Sequence, residues 1–154
     1  MNKICFEPLN NNYINQLNTW INKEKQLGQN GLQKFIVGTE CLLGDYLNYA
    51  IEKLDDAEVF VAVQKQTLIG FLCTTKPSFN HLYIEYIGVA PHMQGKGVAG
   101  QIIAAFKEQI APALAVEKIT IDAKKSNKAA CKAFAKVGKI QEKQDNSGYI
   151  GFEL

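Results

Sequence analysis

Apolar positions recur along this chain with two different periods, and the changes between them mark its elements. Residues 3–8 (KICFEP) alternate and predict a short strand. Over 12–22, Tyr13, Ile14, Leu17, Trp20 and Ile21 fall at helical spacing and predict one apolar face, more suited to a core than to a cofactor. The polar stretch 24–38 carries three glycines and predicts a loop. Thr39 suits a helix cap, with Glu40 in the first turn, and Leu43, Tyr46, Leu47, Ala50 and Leu54 predict a second amphipathic helix. The period then shortens. EVFVAV (58–63) and TLIGFLC (67–73), joined through 64–66, predict a hairpin, and HLYIEYIGV (81–89) a further strand. A helix is expected from about Gly97, with Ala99, Ile102, Ile103, Phe106 and Ile110 on one side. KITIDA (118–123) predicts a strand. The helix expected over 127–137 turns Ala130, Ala133, Phe134 and Val137 inward and Lys128, Lys132 and Lys136 outward, and Gly138 ends it. Short strands near 139–144 and 148–154 flank a turn at 145–148. The order β-α-α-β-β-β-α-β-α-β-β predicts an α/β (α+β) architecture, a mixed sheet with helices on both faces, in one domain over 1–154.

Composition agrees with a single globular domain: 154 residues, 47% hydrophobic and 21% charged. Net charge is only +2, which argues against a nucleic-acid or membrane-surface partner. Every basic residue is lysine, so no guanidinium fork is available for an anion. Cys5, Cys41, Cys73 and Cys131 are widely spaced, unlike a zinc site or a disulfide framework, and read as reduced thiols. The start, MNKICFEPLN, lacks a signal-type apolar run, and no stretch is long enough to span a membrane. A cytoplasmic protein is expected.

The informative segment is Val89-Ala-Pro-His-Met-Gln94-Gly95-Lys96-Gly97-Val98-Ala99-Gly100, between a strand and a helix. Glycines let a backbone approach a ligand closely, and a helix N-terminus offers free N–H groups and a positive dipole end. Such a turn can bind phosphate. Without arginine, backbone amides and Lys96 would hold the anion. Gly95-x-Gly97-x-x-Gly100 also matches the dinucleotide fingerprint, with Asp122 near the place of a ribose-binding acid. In that fingerprint the glycines follow the strand directly, whereas residues 90–94, with Pro91, intervene here.

Gln94-x-x-Gly97-x-Ala99 resembles the (Gln/Arg)-x-x-Gly-x-(Gly/Ala) signature of the GNAT superfamily of acyl-CoA N-acyltransferases. Val89-Ala-Pro91 resembles the end of that family's fourth strand, and Asn127-x-x-Ala130 with Gly138 its Asn-x-x-Ala…Tyr…Gly-Phe helix. The order of elements matches along the whole chain. The resemblance implies a mostly antiparallel sheet of about seven strands, splayed into a V between the fourth and fifth. It implies acetyl-CoA as acyl donor and no metal, with the pyrophosphate on the main chain of Gln94, Gly95, Lys96, Gly97, Val98, Ala99 and Gly100. Pantetheine would lie on the main chain of Ile87, Gly88 and Val89, and Asn127 and Phe134 would line the cofactor arm. The chain departs from the pattern at two places. Phe134 stands where a tyrosine commonly protonates the departing thiolate, and Lys139 stands where phenylalanine is usual. Cys131 and Tyr149 are conceivable substitute acids, and both also suit a structural role. A thiol leaves tolerably well unassisted.

An acceptor amine arrives as an ammonium and must lose a proton before it attacks. Glu85 is the candidate base, since related acetyltransferases carry a glutamate at the corresponding place; the same residue equally suits an ion-paired strand position. Simple alternation puts it on the face of Ile87 and Val89. Tyr83 shares its parity and is the candidate acceptor-side residue. The resemblance also implies that the Val89 N–H would meet the developing oxyanion. His81 and His92 suit packing or solvation better than ligand contact, and they make a poor metal site. The expected activity is direct acetyl transfer to a primary amine, on a small molecule or a peptide, by a monomer or homodimer. Asp45, Asp55 and Asp56 suit either a cationic acceptor or a solvated helix face. The alternative is a non-catalytic acyl-CoA-binding module, for which Phe134 speaks.

Overall fold

A computed structural model describes residues 3–27, 36–37, 57–141 and 148–154. The expected second helix, with Thr39, Glu40, Asp45, Asp55 and Asp56, lies outside the described residues, as does most of the turn over 145–148. The strands are β1 (Cys5–Pro8), β2 (Ile36–Val37), β3 (Glu58–Gln64), β4 (Thr67–Ser78), β5 (His81–Val89), β6 (Lys118–Lys124), β7 (Lys139–Gln141) and β8 (Tyr149–Glu153). The helices are α1 (Asn11–Leu27), α2 (Val98–Gln109) and α3 (Lys128–Val137). The sheet runs β1-β3-β4-β5-β6-β8-β7, with β2 attached to β5. Among the described residues, β5 and β6 are parallel, and every other pairing is antiparallel. The expected fourth and fifth strands are therefore β5 and β6, and β2 is an addition that two residues of sequence do not announce.

The sheet buries both faces. On one, Leu17 and Trp20 of α1 pack on Val61, Val63, Leu68, Phe71 and Cys73. On the other, Ile102, Ile103 and Phe106 of α2 and Ala130 and Phe134 of α3 pack on Leu72, Ile84, Ile87, Val89, Ile121 and Phe152. Complete burial of each large side chain here contributes about 1.5–3 kcal/mol. α1 runs five residues beyond the expected face and is preceded by Asn10, whose Oδ1 accepts the Asn12 N–H at 2.9 Å. The β3–β4 turn places both Lys65 and Gln66 at positive φ, the twist that suits a two-residue hairpin.

Two features shape the middle of the sheet. Gly88 lies under the Phe71 ring, and a Cβ there would stand 2.1 Å from a ring carbon. Because the ring is fully buried, it has nowhere to retreat. A Gly88→Ala chain should lose about 1–3 kcal/mol of stability, read as a lower urea midpoint. Second, β5 carries a bulge. Cys73 pairs with Tyr86 and Thr74 with Ile84, leaving Glu85 as the extra residue. The apolar side chains directed at α2 and α3 thus change parity, from Leu82 and Ile84 before the bulge to Ile87 and Val89 after it.

Candidate active site

β5 and β6 pair from His81↔Lys118 to Ile84↔Ile121 and no further. Glu85 is the next residue on β5 and Asp122 the next on β6. Beyond them β6 stays with β8 while β5 stays with β4, so the parallel pair forks. The bulge and the fork begin together, because the extra residue bends β5 away from its neighbour.

At the end of β5 the chain turns through a single 3-10 turn (Pro91–Met93) into α2. Gln94 folds back, and its Nε2 donates to the Val89 carbonyl at 3.1 Å. Its side chain is thereby spent on closing the turn. Gly95 and Gly97 hold φ of 78° and 74°, the left-handed region that favours glycine. A Cβ on either would meet nothing within 4 Å. Gly97 caps α2 without a side-chain hydrogen bond, and the first turn holds no acidic residue. The N–H groups there are left for a ligand, at the positive end of the helix dipole.

These groups border a cavity of about 690 Å³ between α2 and α3. Of the residues expected to hold the cofactor, it brings together Val89, Gln94, Gly95, Gly97, Val98, Ala99, Gly100 and Asn127. Asn127 also caps α3, its Oδ1 accepting the Ala130 N–H at 3.1 Å, so its amide nitrogen is the group it can offer the cavity. Met93, Lys132 and Lys136 border the same space; the two lysines were expected only to face water.

Other expected residues lie elsewhere. Lys96 and His92 are exposed and do not border the cavity. Phe134 is 0% exposed, edge-to-face with Phe152 at 5.7 Å, within the core rather than on the cavity wall. Gly88 serves the Phe71 contact. Ile87 and Gly88 are paired with Val37 and Ile36 of β2, on the edge of β5 away from β4. A donor arm along that edge competes with β2 for main-chain groups of β5. Cys131 donates to the Lys124 carbonyl at 3.3 Å and belongs to the packing of α3 on β6.

On the opposite face of the sheet, around the apex of the fork, stands a polar cluster. The Thr75 hydroxyl donates to Glu85 Oε1 at 2.9 Å, and the Tyr83 hydroxyl to Asp122 Oδ2 at 2.9 Å. His81 Nε2 and Thr120 Oγ1 lie 2.7 Å apart beside them. The expectation that Glu85 shares a face with Ile87 and Val89 is corrected by the bulge. Those two are buried against α2 and α3, whereas Glu85 joins Thr75 on the other side. Tyr83 does accompany it. Burial pushes the Glu85 carboxyl above the ordinary glutamate value; the Thr75 hydrogen bond holds it back, and the Asp122 charge adds to the rise. The Tyr83 hydroxyl is pushed well above the usual tyrosine range, by burial first and then by Asp122. It is a poor proton donor. Burial, with Lys118 nearby, lowers His81 and favours its neutral form.

The sequence pattern did not identify Thr75 or Asp122 as members of this cluster. Thr75 lies in the part of β4 beyond the predicted strand. Asp122 is recognisable only once the β5–β6 register pairs Tyr83 with Thr120 and so brings Asp122 alongside.

A mostly antiparallel sheet, forked at its one parallel pair and with a glycine turn opening a helix at the fork's mouth, is the acetyltransferase fold. The chain belongs to the acetyltransferase (GNAT) family, whose model matches residues 23–138. Among solved structures it is similar to an acetyltransferase from Bacillus subtilis in complex with CoA, at 17% identity and TM-score 0.64, covering 100% of this chain and 98% of that one. It is also similar to a GNAT family acetyltransferase from Elizabethkingia anophelis with acetyl-CoA bound, at 17% identity and TM-score 0.61, covering 99% and 97%. A third is the acetyl transferase from Salmonella typhimurium that modifies the N-terminal serine of ribosomal protein L7/L12, at 14% identity and TM-score 0.69, covering 99% and 94%. At these identities the likeness is one of fold. No curated protein matches the chain by sequence. Among the described residues, no helix is long and apolar enough to cross a membrane.

Proposed function

We propose that this acetyltransferase moves an acetyl group from acetyl-CoA directly to a primary amine, with Glu85 as the base. One observation carries the reading: Glu85 stands half-buried at the apex of the fork, four residues before Val89 on the strand that leads to the uncapped end of α2. The residues fit the donor. Gly95 and Gly97 leave open space where side chains would intrude, and the free N–H groups of α2 suit a diphosphate. Lys132 and Lys136 add positive charge on the same cavity. When bound, acetyl-CoA supplies an activated acyl thioester.

The chain's own groups then have three tasks. The first turn of α2 holds the diphosphate and so fixes the distance to the fork, which lowers the entropic cost of bringing amine and carbonyl together. The Val89 N–H meets negative charge on the carbonyl oxygen: the Ala90 N–H is spent on the Ile69 carbonyl at 2.8 Å, toward β4, and alternation turns that of Val89 to the opposite edge of β5, which β2 borders. Glu85 takes the proton from the ammonium, for which a raised proton affinity is an advantage. Cys73 is buried and Cys131 is engaged by Lys124, which supports direct transfer rather than an acyl-cysteine.

The test is thiol release from acetyl-CoA over a panel of polyamine, amino acid, aminoglycoside and peptide α-amine acceptors. Turnover on at least one amine is expected. A second reading, a non-catalytic acyl-CoA-binding module, is favoured by Phe134, which is buried and has no proton to give. Tight binding of CoA without turnover on any amine would establish that reading instead.

A further inference from the structure

The Tyr83–Asp122 hydrogen bond joins β5 to β6 one step from where their pairing ends, and it faces the same side of the sheet as Glu85. The His81 and Thr120 side chains, 2.7 Å apart, make a second bridge just behind it. The carboxylate of Asp122 is therefore held at a set position across the fork.

We infer that Asp122 is a positioning residue for the transfer: Tyr83 pins its carboxylate beside Glu85, and that fixed negative charge makes Glu85 a stronger proton acceptor. This rests on Glu85 being the base. A negative charge beside a half-buried carboxyl makes that carboxyl easier to protonate. The Thr75 hydroxyl, from β4, opposes this by favouring the ionised form of Glu85. The other groups of the cluster are His81 and Tyr83 on β5, Thr120 and Asp122 on β6, and Tyr149 on β8, which faces Tyr83. Burial raises the Glu85 carboxyl first, and Thr75 and Asp122 then adjust it in opposite directions. The arrangement also gives Tyr83 a task that does not require it to touch the acceptor.

Asp122→Asn tests it. The asparagine Oδ1 still accepts the Tyr83 hydroxyl, so the bridge is kept and only the charge is removed. The Glu85 titration midpoint, followed by carboxyl carbon NMR, should fall, and the acidic limb of kcat/KM should fall with it. Tyr83→Phe keeps the charge but frees it to move, and should shift the midpoint the same way by less. That variant carries the test should Asp122→Asn fail to fold. An unmoved midpoint in the folded variant overturns the inference, even if kcat drops. Glu85→Gln separates the two ideas. If it abolishes the limb while Asp122→Asn leaves the limb in place, Glu85 is the base and Asp122 does not tune it. If the limb survives Glu85→Gln, the reading of Glu85 as base falls first.

Discussion

A Gly97→Glu chain is expected to fold and to bind coenzyme A at least a hundredfold more weakly, as read by calorimetry. Gly97 is the cap of α2, sits at φ 74° and has open space where its side chain would begin. The substitution therefore displaces no neighbour. It puts a carboxylate into the cavity, where that group can satisfy the free N–H groups and face the diphosphate with like charge. Two unit charges 4 Å apart near a protein surface interact by about 4 kcal/mol, and a factor of one hundred in affinity needs only about 2.8 kcal/mol. Charge thus outweighs the backbone strain, about 1–2 kcal/mol for a left-handed residue other than glycine. Gly97→Ala isolates the strain: it should lower stability by that amount and leave most of the affinity. Equal loss of affinity in the two variants would mean that the shape of the turn matters and its charge does not. Unchanged affinity in Gly97→Glu would mean that the diphosphate binds elsewhere.

Most of this fold is legible in the sequence because its strands and helices carry clean periods. β3, β5, β6, α2 and α3 lie within a residue or so of where their apolar positions predict. The glycine turn is legible for a different reason, namely that few residue types tolerate φ near +75°. What alternation hides is the bulge. Counting by twos from Val89 puts Glu85 with Ile87, and the strand does not count by twos. The signal is nonetheless present in HLYIEYIGV: buried Leu82 and Ile84 are even, buried Ile87 and Val89 are odd, and the phase must slip between them. The partners of Glu85 were harder to read. Thr75 and Asp122 are 10 and 37 positions away in sequence, and only register brings them together. Phe134 shows the converse. Its helical position was right, but a fully apolar ring at that point joins Phe152 in the core instead of the cavity wall.

Glu85→Gln should lower kcat by about a hundredfold to ten-thousandfold, the range for loss of a positioned general base, while the affinity for acetyl-CoA stays as it was. The amide is isosteric, and its oxygen still accepts the Thr75 hydroxyl, so the local structure has no reason to change. The pH dependence gives the sharper discrimination. With Glu85 as the proposed base, activity requires its ionised form, and its raised proton affinity places the acidic limb of kcat/KM above the ordinary glutamate value. That limb should vanish in the variant. Stability should move the opposite way. A carboxyl whose proton affinity is higher in the folded chain than in the unfolded one stabilises the fold below its unfolded pKa, and that contribution is lost as pH rises through the folded value. At neutral pH the wild-type chain therefore carries the cost of an ionised, half-buried Glu85 beside Asp122, and the glutamine chain does not. The variant should melt higher than wild type near pH 7, and the gap should close as pH falls below the glutamate range. A loss of activity accompanied by a gain in Tm separates a catalytic carboxylate from a structural one, because removing a stabilising ion pair would lower both.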